Sequence, residues 1–211
     1  KVHRWPGNIR EVYGLTEGDI STSLDCAAHP DKWDSVGKPT EGAEVRVIDE
    51  EGNELPRGET GEIVGRAISM MRGYINREEQ TRDMLWTSPE GLVFYRSGDM
   101  GRVDEEGFVY ILDRRKDMII SGGFNIYAVD LEKVLLAHPA VADVAVIGIP
   151  SEQWGETPLG LVVLKPGYTE DESDILEWTN GQLGKAQRLT AIEFRPELPR
   201  STIGKVLKRD L

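Results

Sequence analysis

The chain has 211 residues, 39% of them hydrophobic, with 25 basic against 37 acidic side chains and a formal net charge of -12. That length and apolar content fit one large or two small folded domains and exclude a disordered chain. The acidic balance argues against a nucleic-acid partner, whose capture rests on phosphate neutralisation, so an anionic ligand would need locally gathered cations, as at residues 114 to 116 or around Lys205, Lys208 and Arg209.

Trp5-Pro-Gly7 is a turn signal, and Ile9, Val12 and Tyr13 alternate loosely enough for a short strand. Tyr13-Gly-Leu-Thr-Glu17 then ends that strand with a flat aromatic face, a close backbone approach, a hydroxyl and a carboxylate. Residues 35 to 112 read as all-β. Ser35 to Pro39 is a loop, Ala43 to Asp49 alternates with period two, Glu50 to Asn53 is a turn, and Gly61 to Arg66 is a further strand. Asn76 to Leu85 reads as a helix with Asn76 as N-cap and Glu79 completing a capping box. Gly91 to Tyr95 returns to strand, and Gly101 to Leu112 is a hairpin with Gly107 in its turn. Many short strands at this spacing predict a small barrel or sandwich.

From Asp113 the pattern becomes mixed. Met118 to Ile120 is a short apolar strand, and a helix follows over Val129 to Ala137, with Leu131, Val134, Leu135 and His138 on one face and Pro139 as its stop. Val141 to Ile149 and Leu159 to Leu164 are apolar enough for central strands, joined through residues 150 to 155. Thr169 and Glu172 predict a capping box for a helix carrying Ile175, Leu176 and Thr179 inward, Ala191 to Phe194 is a last strand, and residues 198 to 211 are a loop feeding a basic helix. The expected fold is therefore α/β (α+β): a β-rich, barrel-like subdomain over 1–112, then a small, mobile α+β lid over 113–211.

The single Cys26 has no partner for an internal disulfide and no metal-ligand spacing around it, which fits a small buried side chain and a reducing, cytoplasmic setting. No apolar run is long enough for a transmembrane segment. The chain opens on Lys1 rather than Met, and we expect it to be a piece of a longer protein. His3, His29 and His138 read as structural or surface residues, Arg115 as exposed, and Trp154 as packing at a loop corner.

Six motifs in order, Tyr13-Gly-Leu-Thr-Glu17, Gly61-Glu-Ile63, Tyr95-Arg-Ser-Gly-Asp99, Asp113-Arg-Arg-Lys-Asp117, Ser121-Gly-Gly-Phe-Asn125 and Pro199-Arg-Ser-Thr-Ile-Gly-Lys205, span nearly the whole chain. Together they resemble the adenylate-forming (AMP-binding) superfamily of acyl-CoA synthetases, peptide-synthetase adenylation domains and firefly-type luciferases. The resemblance implies a two-step reaction. A small-molecule carboxylic acid attacks the α-phosphate of ATP to give an acyl-adenylate and pyrophosphate, and the CoA thiol then displaces AMP to give a thioester. It implies ATP/AMP, Mg²⁺ and CoA as ligands and a lid that rotates between the steps.

By motif match, Tyr13 with Gly14 would sit beside adenine, Thr16 would touch phosphate and Glu17 would hold Mg²⁺. Asp99 would accept from the ribose hydroxyls, and Arg114 would help hold the nucleotide. Lys116 would be the hinge, Gly122 and Gly123 would line the pantetheine path, and Lys205 would reach the reacting carboxylate and the α-phosphate. The chemistry suits these types: an ionised carboxylate takes two charge-assisted bonds from a diol, and a lysine delivered to two converging anions stabilises the transition state.

The family's Gly/Ser/Thr-rich phosphate loop and most of its acyl pocket lie upstream of these motifs, and this chain has no such loop. The resemblance therefore implies that about the first two-thirds of the same protein, its N-terminal part, is missing from this chain, and that the 211 residues alone are inactive. Phe124 stands where many relatives carry Glu, which leans toward larger acids, and Ala128 stands where a helix-starting Pro is common. Lys116-Asp-Met-Ile-Ile-Ser-Gly-Gly123 resembles CoA ligases of the fatty-acyl or aryl branch more than carrier-protein adenylation domains. A carrier-protein adenylation domain, a luciferase-like relative and a separated, non-catalytic binding module are the alternatives.

Overall fold

The computed structural model describes residues 8–211 apart from Asp19 and Ile203. His3, Trp5-Pro-Gly7 and the Ile203 position of the last motif lie outside the described residues. The chain is a strand-rich α/β protein that forms two compact units, Lys1–Arg115 and Lys116–Leu211.

In the first unit, β1 (Arg10–Gly14), β2 (Ser21–Asp25) and β3 (Lys38–Pro39) form an antiparallel sheet. A second sheet holds β4 (Ala43–Ile48), β5 (Gly61–Ala67), β6 (Leu85–Thr87), β7 (Val93–Val103) and β8 (Val109–Arg114), with α1 (Glu78–Asp83) between β5 and β6. The long β7 pairs with β5 on one edge, and with β6 at its start and β8 at its end on the other. Two backbone bonds of 2.8 Å, from Val36 to Val109 and from Val109 to Gly37, tie the two sheets and curl the body around Ile20, Ile63 and Val109. Both faces of this sheet are covered where β4 meets β5: Val47 and Ile63 are buried on one side, and their neighbours Ile48 and Val64 pack with Trp86 and Phe94 on the other.

Several local expectations change in this unit. The predicted Asn76 cap fails because Asn76 adopts φ +55, and α1 starts at Glu78 behind Arg77 with no side-chain cap. Leu85 belongs to β6 rather than to the helix. Ser21–Asp25, unassigned from sequence, is the middle strand of its sheet because Thr22 and Leu24 alternate inward. Ser97-Gly-Asp99, between the strand expected to end at Tyr95 and the hairpin expected from Gly101, lies inside β7.

The second unit has β9 (Ile119–Ser121), β10 (Phe124–Ile126), α2 (Ala128–Ala137), β11 (Val141–Ser151), β12 (Gly155–Leu164), α3 (Glu172–Asn180) and β13 (Ala191–Phe194). The strand β12 is central, antiparallel to β11 and parallel to β13, and it reaches the β9–β10 hairpin through Gly155 and Ser121. One face of the sheet packs Val144, Val146, Val162 and Ile192 against Leu131 and Leu135 of α2 and Ile175 of α3. The other packs Ala145, Leu159 and Leu161 against Leu198. Both faces are covered, which is why the sequence of β12 is a continuous apolar run rather than an alternation. Truncating Leu131 or Leu135 to Ala would remove about 2–5 kcal/mol from this core.

The Thr169 capping box does not form: Asp171 is the N-cap, and the Glu172 carboxylate accepts from Phe194 N at 3.0 Å instead. The expected basic helix at the C-terminus is only a 3-10 turn over Lys208–Asp210, and Lys208 pairs with Glu132 at 2.8 Å. Among the described residues no helix is long and apolar enough to cross a membrane.

Candidate functional site

In the first unit, Tyr13, Asp99 and Arg114 come together from β1, β7 and the end of β8. Asp99 is buried, with only 6% of the residue exposed. Its Oδ2 accepts from the Tyr13 hydroxyl at 2.5 Å, and its Oδ1 lies 3.6 Å from Arg114 Nε.

A bulge explains how a carboxylate comes to stand there. On β5, Glu62 pairs with Met100 and Val64 with Arg96, so Ser97, Gly98 and Asp99 oppose Ile63 alone. Gly98 takes φ +71, which glycine adopts at little cost. The Ser97 hydroxyl donates to Ile63 O at 2.7 Å and accepts from Asp99 N at 2.9 Å. On the other edge Asp99 is in register with Arg114. The local sequence thus re-aims one side chain out of a regular strand, as bulges do.

Tyr13 is the last residue but one of β1, next to Gly14, whose backbone lies so close to Ile20 that an added Cβ would be 2.9 Å from the Ile20 carbonyl oxygen. Thr16 is exposed, in a turn closed by a bond from Gly18 N to Leu15 O at 3.1 Å. The loop around Ser69 braces that turn, with Ser69 Oγ donating to Gly18 O and Met71 N to Glu17 O. Glu17 Oε1 accepts from the Tyr74 hydroxyl. Tyr74 was not singled out from sequence, and nothing in a spacing of 57 residues signals the contact.

Among the described residues no group of three or more His, Cys, Asp or Glu is placed to hold a metal. Glu17 nevertheless fits Mg²⁺ in one particular role. A nucleotide-bound Mg²⁺ keeps several waters and takes phosphate oxygens plus one or two carboxylates, and a carboxylate oriented by a tyrosine hydroxyl meets that need.

Lys116, Gly122, Gly123 and Lys205 belong to the second unit. Lys116 is exposed, in the 3-10 turn Arg115–Asp117. Gly122 and Gly123 form the two-residue turn of the β9–β10 hairpin at φ +57 and +82. Gly122 donates to Trp154 O at 2.8 Å, and a Cβ there would stand 2.8 Å from the Trp154 ring. Trp154 thus sits at a loop corner as expected, but half exposed, with its ring edge against glycine.

Lys205 is exposed at the end of a small closed loop, where Arg200 bridges to Val206. Ser201 N donates to Lys205 O at 2.8 Å, Lys205 N donates to Ser201 Oγ at 3.2 Å, and Arg200 pairs with Asp143 of β11. Its backbone is pinned while its ammonium reaches solvent. Arg115 is exposed, as expected, and binds the buried Glu62 at 3.1 Å.

Residues 1–75 match the model of the AMP-binding enzyme family, and residues 130–205 match that of the AMP-binding enzyme C-terminal domain. The chain is 39% identical over 207 residues to a 2-succinylbenzoate–CoA ligase of Bacillus cereus, covering 96% of this chain and 41% of the relative. It is 38% identical over 206 residues to a long-chain-fatty-acid–CoA ligase of Bacillus subtilis, with 97% and 36% covered.

Among solved structures, the o-succinylbenzoate CoA synthetase MenE of Bacillus subtilis, with its acyl-adenylate intermediate bound, matches at TM-score 0.84 and 33% identity over 96% of this chain and 40% of that one. ATP-bound MatB of Rhodopseudomonas palustris matches at 0.83 and 36%, covering 96% and 39%. The chain spans about two-fifths of the length of these relatives. With two family models over most of its length and relatives alike along nearly all of it, the chain belongs to the adenylate-forming, AMP-binding enzyme superfamily.

Proposed function

We propose that these residues form the C-terminal portion of an ATP-dependent, AMP-forming acid–CoA ligase. The first unit is the end of its large domain, and the second, joined at Lys116, is its lid. The observation that carries this reading is the Asp99 carboxylate, buried yet aimed by a bulge at the Tyr13 hydroxyl and Arg114. An ionised acceptor fixed in this way suits a ribose diol, which offers two hydroxyl donors to one carboxylate. The identity of the relatives as CoA ligases, and the share of their length that this chain covers, support the wider assignment.

In the first step the substrate carboxylate oxygen attacks the α-phosphorus of ATP, and the bond to the pyrophosphate oxygen breaks. Asp99 holds the sugar, Arg114 steadies the nucleotide, Tyr13 and Gly14 offer a ring and bare backbone to the base, and Thr16 donates to phosphate. Mg²⁺, when bound at Glu17, would offset phosphate charge. Lys205 places an ammonium between the two anions, where charge builds. In the second step the CoA sulfur attacks the acyl carbon, AMP departs, and the narrow path past Gly122 and Gly123 leaves room for the pantetheine arm. The single buried Cys26 suits a reducing, cytoplasmic setting.

The test incubates the complete ligase with ATP, Mg²⁺, CoA and a panel of short, long and aromatic acids, with AMP and thioester read by mass spectrometry. AMP and acyl-CoA are expected together. AMP without thioester would instead identify a carrier-protein adenylation domain or a luciferase-like enzyme, and no AMP from any acid would favour a binding module. The 211 residues alone should be inactive, because both reactants must be held within reach; micromolar ATP binding by calorimetry would contradict that.

A further inference from the structure

Three motif residues have no part in the chemistry above: Glu62 of Gly61-Glu-Ile63, Arg96 of Tyr95-Arg-Ser-Gly-Asp99, and Arg115 of Asp113-Arg-Arg-Lys-Asp117. The fold brings all three to one oxygen. Glu62 is 5% exposed. Its Oε2 accepts from Arg96 Nε at 3.0 Å, from Arg96 Nη2 at 2.5 Å and from Arg115 Nη1 at 3.1 Å.

We propose that Glu62 is a positioning residue whose buried carboxylate fixes two things at once: the bulge that carries Asp99, and the end of the first unit at the Arg115–Lys116 step.

The argument for the bulge is topological. Glu62 pairs through its backbone with Met100, directly after the bulge, while its side chain grips Arg96, directly before it. Ser97, Gly98 and Asp99 are therefore clamped between two attachments to one residue. Arg115 extends the clamp. It follows Arg114, the last residue of β8 and the residue in register with Asp99, so tying Arg115 to Glu62 holds β8 beside the bulge to its end. It also opens the 3-10 turn that contains Lys116.

A buried ion pair adds little net stability over an apolar pair of the same size, and breaking one by removing a partner is disruptive. The consequence of this one is geometric: it specifies which strand positions meet. Two guanidiniums on one oxygen also make the loss of Glu62 felt at both ends, since each arginine would lose its acceptor.

Backbone hydrogen exchange on the 211-residue chain tests this directly. Glu62→Gln is expected to speed exchange of the amides of Ser97–Asp99 and Arg114–Asp117 by about tenfold or more, with Val45–Ile48 of β4 unchanged, because local opening is read separately from global unfolding. Arg115→Gln, at an exposed position, should speed only Arg114–Asp117. The double variant should add nothing there beyond Glu62→Gln alone, and Arg115→Lys, which keeps the charge, should restore most of the protection.

Unchanged exchange at Arg114–Asp117 in Arg115→Gln would overturn the proposal. So would uniform acceleration through β4, additive effects in the double variant, or Arg115→Lys as open as Arg115→Gln. Should Glu62→Gln not fold, Arg115→Gln and Arg115→Lys carry the test. The inference deepens the ligase reading by naming what holds its sugar-binding carboxylate. Exchange is read without substrate, so its failure leaves the ligase assay standing, and the reverse also holds.

Discussion

The two units present their key charged groups in opposite ways. Asp99 is buried and held by a bulge, a tyrosine and an arginine, whereas Lys205 has a pinned backbone and an ammonium in solvent. A group that binds a ligand gains from being held still, because less ordering is lost on binding. A group that must arrive at a developing charge gains from a fixed root and a long, hydrated arm. The contrast predicts that substitutions at Asp99 act on binding and substitutions at Lys205 act on rate.

The largest effect should come from Lys205→Ala in the complete ligase. Adenylation is expected to fall by roughly a hundred- to a thousand-fold, the scale seen when one donor to a developing anion is removed. Thioester formation from supplied acyl-adenylate should be spared, and the melting temperature unchanged. Equal loss of both half-reactions in rapid-quench assays would break the contrast.

Asp99→Asn should act on nucleotide binding. Hydrogen bonds to a charged group contribute about 1.5–3 kcal/mol, so KM for ATP should rise roughly ten- to a hundred-fold with a smaller change in kcat. Tyr13→Phe sharpens this result, because it keeps the ring proposed to lie beside the base and removes only the hydroxyl that pins Asp99. A KM rise of about threefold or more, from loss of roughly one neutral hydrogen bond, would show that pinning matters apart from stacking. No change in KM would leave Tyr13 with the ring contact alone.

The glycine pair of the second unit offers a smaller and more local comparison. Gly122→Ala forces a Cβ to 2.8 Å from the Trp154 ring at φ +57, whereas Gly123→Ala at φ +82 meets nothing within 4 Å. Each substitution carries left-handed strain of about 1–2 kcal/mol, and only the first adds a clash. Denaturant unfolding followed by Trp154 and Trp178 fluorescence should rank Gly122→Ala as the more destabilising. Trp154→Ala should remove the difference; if it persists, the ring contact is not its cause.

What the sequence made legible follows from what each residue needs from its surroundings. The runs Val141 to Ile149 and Leu159 to Leu164 read as strands because both sheet faces are covered, and no partner had to be known; only β12 is central, however, and β11, expected to be central too, is the edge strand beyond it. Ser21–Asp25 was invisible because only Thr22 and Leu24 turn inward, too few to make a pattern. Asn76 and Thr169 carry cap-forming side chains, but tertiary contacts decided both cases: a left-handed turn at Asn76, and a Phe194 amide that draws Glu172 away. At the site, the motifs marked Asp99 and Arg114 one by one. The strand register that sets them side by side, the Tyr74 contact to Glu17 and the meeting of Arg96 with Arg115 on Glu62 are long-range facts that no spacing encodes.

The smallest effect tests how far the fixed carboxylates of the first unit rest on charge. Asp104 opens the turn between β7 and β8, accepting from Glu106 N at 3.0 Å, from Phe108 N at 2.8 Å, from Lys32 at 2.9 Å and from the Tyr110 hydroxyl at 3.2 Å. Burial pushes its pKa up, but Lys32 and the Phe108 amide outweigh that and hold it below the ordinary value of 3.8. A carboxyl whose folded pKa is depressed contributes stability that is present above the unfolded value and lost as pH falls through the folded one. The first unit should therefore weaken as pH drops below about 4. Asp25, lowered chiefly by the Ala28 amide and by Asn8, and Asp49, lowered by Asn53, should add to the same limb. Asp104→Asn should flatten that limb without moving the neutral-pH plateau in the opposite direction. The measurement is the denaturant midpoint between pH 3 and 7, followed by Trp33 and Trp86 fluorescence. An acid limb unchanged by Asp104→Asn would mean that the charge on Asp104 does not carry it, leaving it to Asp25, Asp49 and the Lys32–Glu106 pair at 2.5 Å.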